Sequence, residues 1–254
     1  MIDTHAHVHD KTFEKDRAQI VSQARREGVS EIVTVGCDIE DSANAIGCAR
    51  EFGLLATVGI HPHEAKDAPV DIQAALTPLL ADPRVVAIGE TGLDYYYDHS
   101  PHGVQQRCLR EQVRIARKLG LPLIFHQRDA FDDFIAILRE ELKHGMPGVV
   151  HCFTGDAAQA RTYVDEFNLK LGVGGILTFG GAQTLRDAIA AIGVEACVLE
   201  TDCPYLAPVP HRGKRNEPAF IFDTARKLAE VCGRSLDEVV AISDANAREL
   251  FVLP

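Results

Sequence analysis

Two imidazoles one residue apart, His5-Ala6-His7, stand near the start of the chain. On an extended strand, positions i and i+2 project from the same face, so both rings can bind one metal ion. Alone, the pair reads equally well as two surface histidines near a terminus. Four further groups with ligand chemistry lie at the ends of short apolar runs: Glu90 after Val85–Ile88, His126 after Leu121–Phe125, His151 after Gly148–Val150, and Asp202 closing Cys197–Asp202. Singly, a histidine ending an apolar strand is more often a hydrogen-bonded core residue, and a glutamate there pairs with Arg or Lys. Six such groups at matched positions argue for metal ligands. The two oxygens of Glu90 can bridge two ions, and Gly92 is expected to turn the chain sharply away from them. Asp202 can bind a metal, take a proton from an attacking water, or both. Glu200 alternates to the other face.

Around these groups stand residues suited to a substrate. His61-Pro62-His63 closes another apolar run, where the proline directs the chain outward, so both histidines are read as substrate contacts. A structural role for either is nearly as well supported. Arg128 could orient a phosphate, and Asp129 is expected to cap the next helix. The basic stretch His211-Arg212-Gly213-Lys214-Arg215 follows Asp202, and Arg212, Lys214 and Arg215 could hold phosphate oxygens there. Against this stands the plain reading of a solvated loop. Cys152 and Cys203 lie beside ligands but suit packing better than hard oxygen and imidazole company. His9 falls beyond the first strand.

These groups must be brought together by the elements that carry them. Eight runs rich in Val, Ile and Leu recur: 2–5, 31–36, 54–61, 85–90, 121–126, 148–151, 169–174 and 197–202. Between them, apolar residues at a 3.6-residue period predict helices over 13–27, 40–51, 70–81, 104–119, 130–143, 157–167 and 182–191, with two more over 217–232 and 236–250. Gly28, Gly53, Gly120 and Gly145 are placed to end helices. Alternating strands and helices predict the α/β class, a TIM (β/α)8 barrel of the metal-dependent hydrolase type, with catalytic groups at one rim where strands end. No Ser/Gly/Pro linker or repeat breaks the chain, so residues 1–254 are expected to form a single domain.

Composition narrows the partners. The formal charge of −11 argues against passive adhesion to nucleic acid, which requires a basic face. It leaves room for a polyanionic substrate drawn by a local metal charge. Seven cysteines without CxxC spacing indicate neither a disulfide framework nor a thiolate zinc site. No apolar stretch is long enough for a membrane helix and the start lacks the features of a signal peptide, so a cytoplasmic protein without membrane partners is expected.

In order along the chain, DTHAH, GIHPHEA, GETGLDYYYD, FHQRDA, VVHCFTG and LETDCPYLAPVPHRGKRNEP resemble the motifs of the TatD family of metal-dependent deoxyribonucleases. The resemblance implies two divalent metals, one held by His5, His7, Glu90 and Asp202, the other by Glu90, His126 and His151. It implies cleavage of DNA phosphodiesters, typically from a 3′ end and with a preference for single strands. Mg²⁺ or Mn²⁺ suits that chemistry, and the imidazoles would also accept Zn²⁺. A monomer is favoured. The chain departs from the common pattern at His9, where many members have Asp, at His102, where a basic or polar residue is frequent, and at Cys203, where Ala or Ser is usual. Three rival readings stand beside the nuclease: a barrel hydrolase of esters or amides such as aminoacyl-tRNA, a binding module braced by metals, and a non-catalytic partner protein.

Overall fold

β-Branched and aliphatic runs form the strands, and helices follow each of them. The computed structural model describes residues 1–142 and 145–253. Eight strand–helix pairs and a final helix appear in order: β1 (Ile2–Ala6), α1 (Arg17–Glu27), β2 (Glu31–Val35), α2 (Ile39–Phe52), β3 (Leu55–Val58), α3 (Ile72–Leu80), β4 (Val85–Asp94), α4 (His102–Leu119), β5 (Leu123–Arg128), α5 (Phe131–Glu141), β6 (Gly148–Val150), α6 (Ala157–Arg161), β7 (Lys170–Val173), α7 (Gln183–Ile192), β8 (Cys197–Leu199), α8 (Ile221–Cys232) and α9 (Leu236–Phe251). The chain divides into two compact units, one of Met1–Thr34 with Cys152–Pro254 and one of Val35–His151.

In the unit of Val35–His151, β3, β4, β5 and β6 pair in parallel in that order. Phe125 on β5 is fully buried and meets Phe134 of α5 edge-on at 5.3 Å. Burying such a ring stabilises by roughly 1.5–3 kcal/mol. Because strand side chains alternate, the neighbouring His126 is directed to the opposite face of the sheet. β4 carries an irregularity of register: Ile88 pairs with Leu123 and Thr91 with Phe125, so β4 spends one residue more than β5 over the stretch that holds Glu90. A bulge of this kind re-aims a side chain.

In the other unit, β1 pairs with β2 and β7 with β8, again in parallel. The end of β1 and the residues after β8 are joined by backbone bonds from Asp202 N–H to the His5 carbonyl and from His7 N–H to the Cys203 carbonyl, both 2.8 Å. The β1–β2 register also slips: Asp3 pairs with Ile32 and Ala6 with Thr34, so the slip spans His5.

Several local expectations need correction. β4 and β5 do not stop at Glu90 and His126 but run on to Asp94 and Arg128, because strand pairing continues after the apolar residues end. Gly92 does not turn the chain; it lies within β4, paired with His126, where a Cβ would stand 1.8 Å from the His126 carbonyl oxygen. Asp129 does not cap α5, whose N-cap is Ala130, and takes a positive φ of 52° instead. The first helix begins at Arg17 rather than near 13, because the chain first makes a short 3-10 turn over Lys11–Phe13. Gly28, Gly53 and Gly120 do end α1, α2 and α4 in the left-handed conformation. Gly145 does not end α5, whose C-cap is Leu142; position 143 of that expected helix lies outside the described residues.

Candidate metal centre

Within Val35–His151, one carboxylate oxygen gathers three rings. Glu90 Oε1 lies 2.8 Å from His126 Nδ1, 3.4 Å from His61 Nε2 and 3.7 Å from His151 Nε2. Glu90 is 3% exposed, so its charge is held away from bulk water and needs cationic or hydrogen-bonding company. Of these rings, His61 has its tautomer set by the backbone. Its Nδ1 accepts the backbone N–H of His63 at 3.1 Å, so in the neutral ring the proton sits on Nε2 and points toward Glu90. Burial pushes the His61 imidazole down to about 4, against the pull of Glu90, which keeps it neutral. His61 is therefore a donor that orients Glu90 rather than a lone pair offered to a metal.

A residue without a role in the sequence reading, Asp94, completes this cluster. Its Oδ2 lies 3.0 Å from His126 Nε2 and 2.9 Å from His63 Nε2, while its Oδ1 accepts the N–H groups of Tyr96 and Tyr97. Burial raises the Asp94 pKa, but hydrogen bonds from His126, His63 and Tyr97 outweigh it and hold the carboxyl well below its usual range. On His126, burial disfavours charge, yet bonds to Asp94 and Glu90 raise the ring overall. A ring donating one N–H to a carboxylate while its other nitrogen faces a ligand group is the arrangement that orients metal-bound histidines. The signal for Asp94 in sequence was only a second acid four residues after Glu90, which the end of the apolar run concealed.

The unit of Met1–Thr34 and Cys152–Pro254 holds a second cluster. His5 Nε2 and His7 Nε2 stand 3.3 Å apart, and Asp202 Oδ1 lies 3.9 Å from the first and 3.5 Å from the second. Two imidazole nitrogens and a carboxylate oxygen at this spacing are a donor set suited to a divalent ion. Asp202 adopts a positive φ of 57° just past β8. Beneath it, fully buried Asp3 accepts both the N–H and the hydroxyl of Thr201, at 2.9 and 2.6 Å. Burial pushes Asp3 up to about 8, against the pull of those bonds. Asp3 also carried no role in the sequence reading; it resembles any acid inside a terminal strand. Glu200 is buried and accepts the Cys152 N–H at 2.6 Å, which gives it a structural task. Burial pushes the Cys203 thiol far up, in keeping with packing. His9 leaves the strand and meets the Thr34 hydroxyl at 2.7 Å, and His102 stacks on Tyr95 at 3.5 Å.

The basic residues separate. Arg215 is engaged by protein groups: its guanidinium makes a two-pronged pair with Asp16, bonds Glu217 and the Thr12 carbonyl, and covers the Phe13 ring at 4.5 Å. These bonds occupy the fork that would grip a phosphate. Arg212 is exposed with its guanidinium 3.8 Å from the Phe179 ring centre, and Lys214 is exposed. Arg128 lies over two tyrosines, 4.1 Å from the ring centre of Tyr96 and 4.7 Å from that of Tyr97.

With these two clusters of imidazole and carboxylate in place, residues 2–252 match the family model described as TatD related DNase. The chain belongs to the TatD family. It is 38% identical to an uncharacterized metal-dependent hydrolase, YabD, of Bacillus subtilis, over 99% of this chain and 98% of the relative. It is 36% identical to a Rahnella protein named 3′-5′ ssDNA/RNA exonuclease TatD, over 95% of this chain and 94% of the relative. The solved structure of YjjV, a TatD homologue from Escherichia coli, covers 100% of this chain and 98% of its own with a TM-score of 0.93 at 31% identity. This TatD protein is thus a metal-dependent hydrolase of the α/β TIM barrel class, as its strand pattern led one to expect. No helix among the described residues is long and apolar enough to cross a membrane.

Proposed function

We propose that this TatD protein is a deoxyribonuclease that uses two divalent ions, Mg²⁺ or Mn²⁺, to remove nucleotides from the 3′ end of single-stranded DNA, with residues 1–254 serving as one catalytic domain. The observation that carries the metal part is the crowding of donors, His126 and His151 about one oxygen of Glu90 and the His5, His7 and Asp202 triangle. The proposed ligands are His5, His7, Glu90 and Asp202 for one ion, and Glu90, His126 and His151 for the other. When bound, such ions supply Lewis acidity, lowering the pKa of water and offsetting charge on phosphate.

The chain's own groups account for the remaining work. Asp202 accepts the proton of the attacking water, a role that typically contributes 10²–10⁴-fold. Asp94 fixes the His126 ring, and His61 donates to Glu90. His63, a quarter exposed at its side chain, and the cations Arg128, Arg212 and Lys214 are offered to the substrate. The nucleic-acid substrate is supported by the names of relatives such as the Rahnella exonuclease.

A second reading, hydrolysis of esters or amides such as aminoacyl-tRNA, draws on the charge of −11, which does not favour free DNA. End-labelled single-stranded DNA offered to metal-stripped protein, before and after adding Mg²⁺ or Mn²⁺, tests the choice. Stepwise 3′ shortening that needs metal and drops by about 10²-fold or more in Asp202→Asn is expected. Wild type that binds metal yet leaves every DNA intact would replace the nuclease with the ester or amide reading.

A further inference from the structure

We infer that Tyr96, Tyr97 and Arg128 form a stacking platform for an unpaired base of the substrate strand, an inference that rests on the nuclease reading above. Three of the five tyrosines are more than half exposed, Tyr96 at 57%, Tyr97 at 51% and Tyr205 at 54%. Tyr96 and Tyr97 follow β4, which bears Glu90, and Tyr205 stands three residues after Asp202 in the segment that follows β8. Exposing two adjacent aromatic rings forgoes burial that a core tyrosine such as Tyr163, fully enclosed, obtains.

The segment presenting Tyr96 and Tyr97 is firmly held. Asp94 accepts both of their N–H groups, the Gln105 side chain bonds the N–H and carbonyl of Asp94 and the carbonyl of Ser100, and the Ser100 hydroxyl donates to the His63 carbonyl. The backbone is thus fixed while the rings face water. Pre-ordered aromatic groups bind with less loss of conformational freedom than mobile ones.

Arg128 supplies the charge. Its guanidinium lies over both rings, and among the described residues it has no carboxylate partner, unlike Arg215. A planar cation beside two aromatic faces matches what an unstacked nucleotide offers, a π face for the rings and a phosphate for the guanidinium. The platform also adjoins the candidate centre of its own unit: the Tyr97 ring meets His63 edge-on at 5.4 Å, and His63 bonds Asp94. Because every base has a π face, the platform recognises single strands without reading their sequence.

The test is equilibrium binding by metal-free protein, in EDTA, of a fluorescein-labelled single-stranded oligodeoxynucleotide and of an abasic strand of equal length, read by anisotropy. Wild type is expected to bind the base-bearing strand about tenfold more tightly. The Tyr96→Ala/Tyr97→Ala double variant should bring that ratio close to one, and Tyr96→Phe/Tyr97→Phe should restore it, since stacking needs the ring and not the hydroxyl. A thermal melt confirms that the variants are folded. Equal affinity of wild type for both strands, or an unchanged ratio in the alanine variant, overturns the platform. A separate cleavage assay with Mn²⁺ isolates the nuclease reading: a preserved ratio without cleavage leaves the platform standing and removes the nuclease.

Discussion

The two donor clusters are built on the same device and finished differently. Each places a candidate ligand where strand register slips, Glu90 on β4 and His5 on β1. From there they diverge. Around Glu90 the contacts are hydrogen bonds between members of the cluster, His126 to Glu90 at 2.8 Å and to Asp94 at 3.0 Å. In the cluster of His5, His7 and Asp202, the two imidazole-to-carboxylate separations are longer, 3.9 and 3.5 Å, while the two Nε2 atoms stand 3.3 Å apart. There the bracing lies one step back, where Asp3 grips Thr201. The first cluster is tied together by hydrogen bonds to its two carboxylates; the second is also braced through the backbone beside it.

The largest test of that difference is Gly92→Ala. A Cβ at Gly92 would stand 1.8 Å from the His126 carbonyl oxygen and 2.7 Å from its carbonyl carbon, at a backbone φ of +156°. Backbone cannot yield as a flexible side chain would, so β4 and β5 must part where they carry Glu90 and His126. The expected cost is about 3 kcal/mol, seen as a melting temperature lower by roughly 6–12 °C. A melt within 1 °C of wild type, on a scale of roughly 2–4 °C per kcal/mol, would mean the two strands are not locked by this contact.

Asp94→Asn probes the same cluster more gently. The amide keeps the shape and can still accept the Tyr96 and Tyr97 N–H groups, but it loses the charge that His126 and His63 face. Loss of a carboxylate that orients a metal-binding histidine typically lowers metal affinity 10–100-fold. Titration calorimetry with Mn²⁺ on metal-stripped protein should show that decrease in one of two binding events. A uniform loss in both events, or in neither, would deny that Asp94 acts through His126.

Both clusters show what could be read from residues alone. The strand order and the six proposed ligands were visible because Val, Ile and Leu mark buried strands and a His, Glu or Asp closes most of the runs. Asp94 was hidden because β4 continues through Gly-Glu-Thr-Gly-Leu-Asp, a stretch with no apolar period, held by pairing with β5. The apolar runs end at Ile88 and Phe125 while strand pairing goes on to Asp94 and Arg128, so in the sequence alone Glu90 and His126 mark strand ends. Arg215 and Arg128 look alike in sequence, since each sits among polar neighbours. Only folding shows one guanidinium bonded to Asp16 and the other lying on tyrosines.

The smallest effect separates those two arginines. The Arg215 bond holds the Asp16 carboxyl below its ordinary value of 3.8, more strongly than the opposing desolvation. A carboxyl depressed in the folded state contributes stability that is fully present above its unfolded pKa, and that contribution is lost as pH falls through the folded one. The pair is partly exposed, 29% and 34% at the side chains, so it contributes less than about 1 kcal/mol. Arg215→Gln should therefore lower the urea midpoint slightly at pH 7, and the gap to wild type should close as pH falls below about 4, near the Asp reference value. Single-strand binding should change much less in Arg215→Gln than in Arg128→Gln. The reverse, a constant midpoint with weakened binding, would return Arg215 to the substrate and leave the 3-10 turn over Lys11–Phe13 to be held by other bonds, such as those from Arg17 to the carbonyls of Val8, His9 and Asp10.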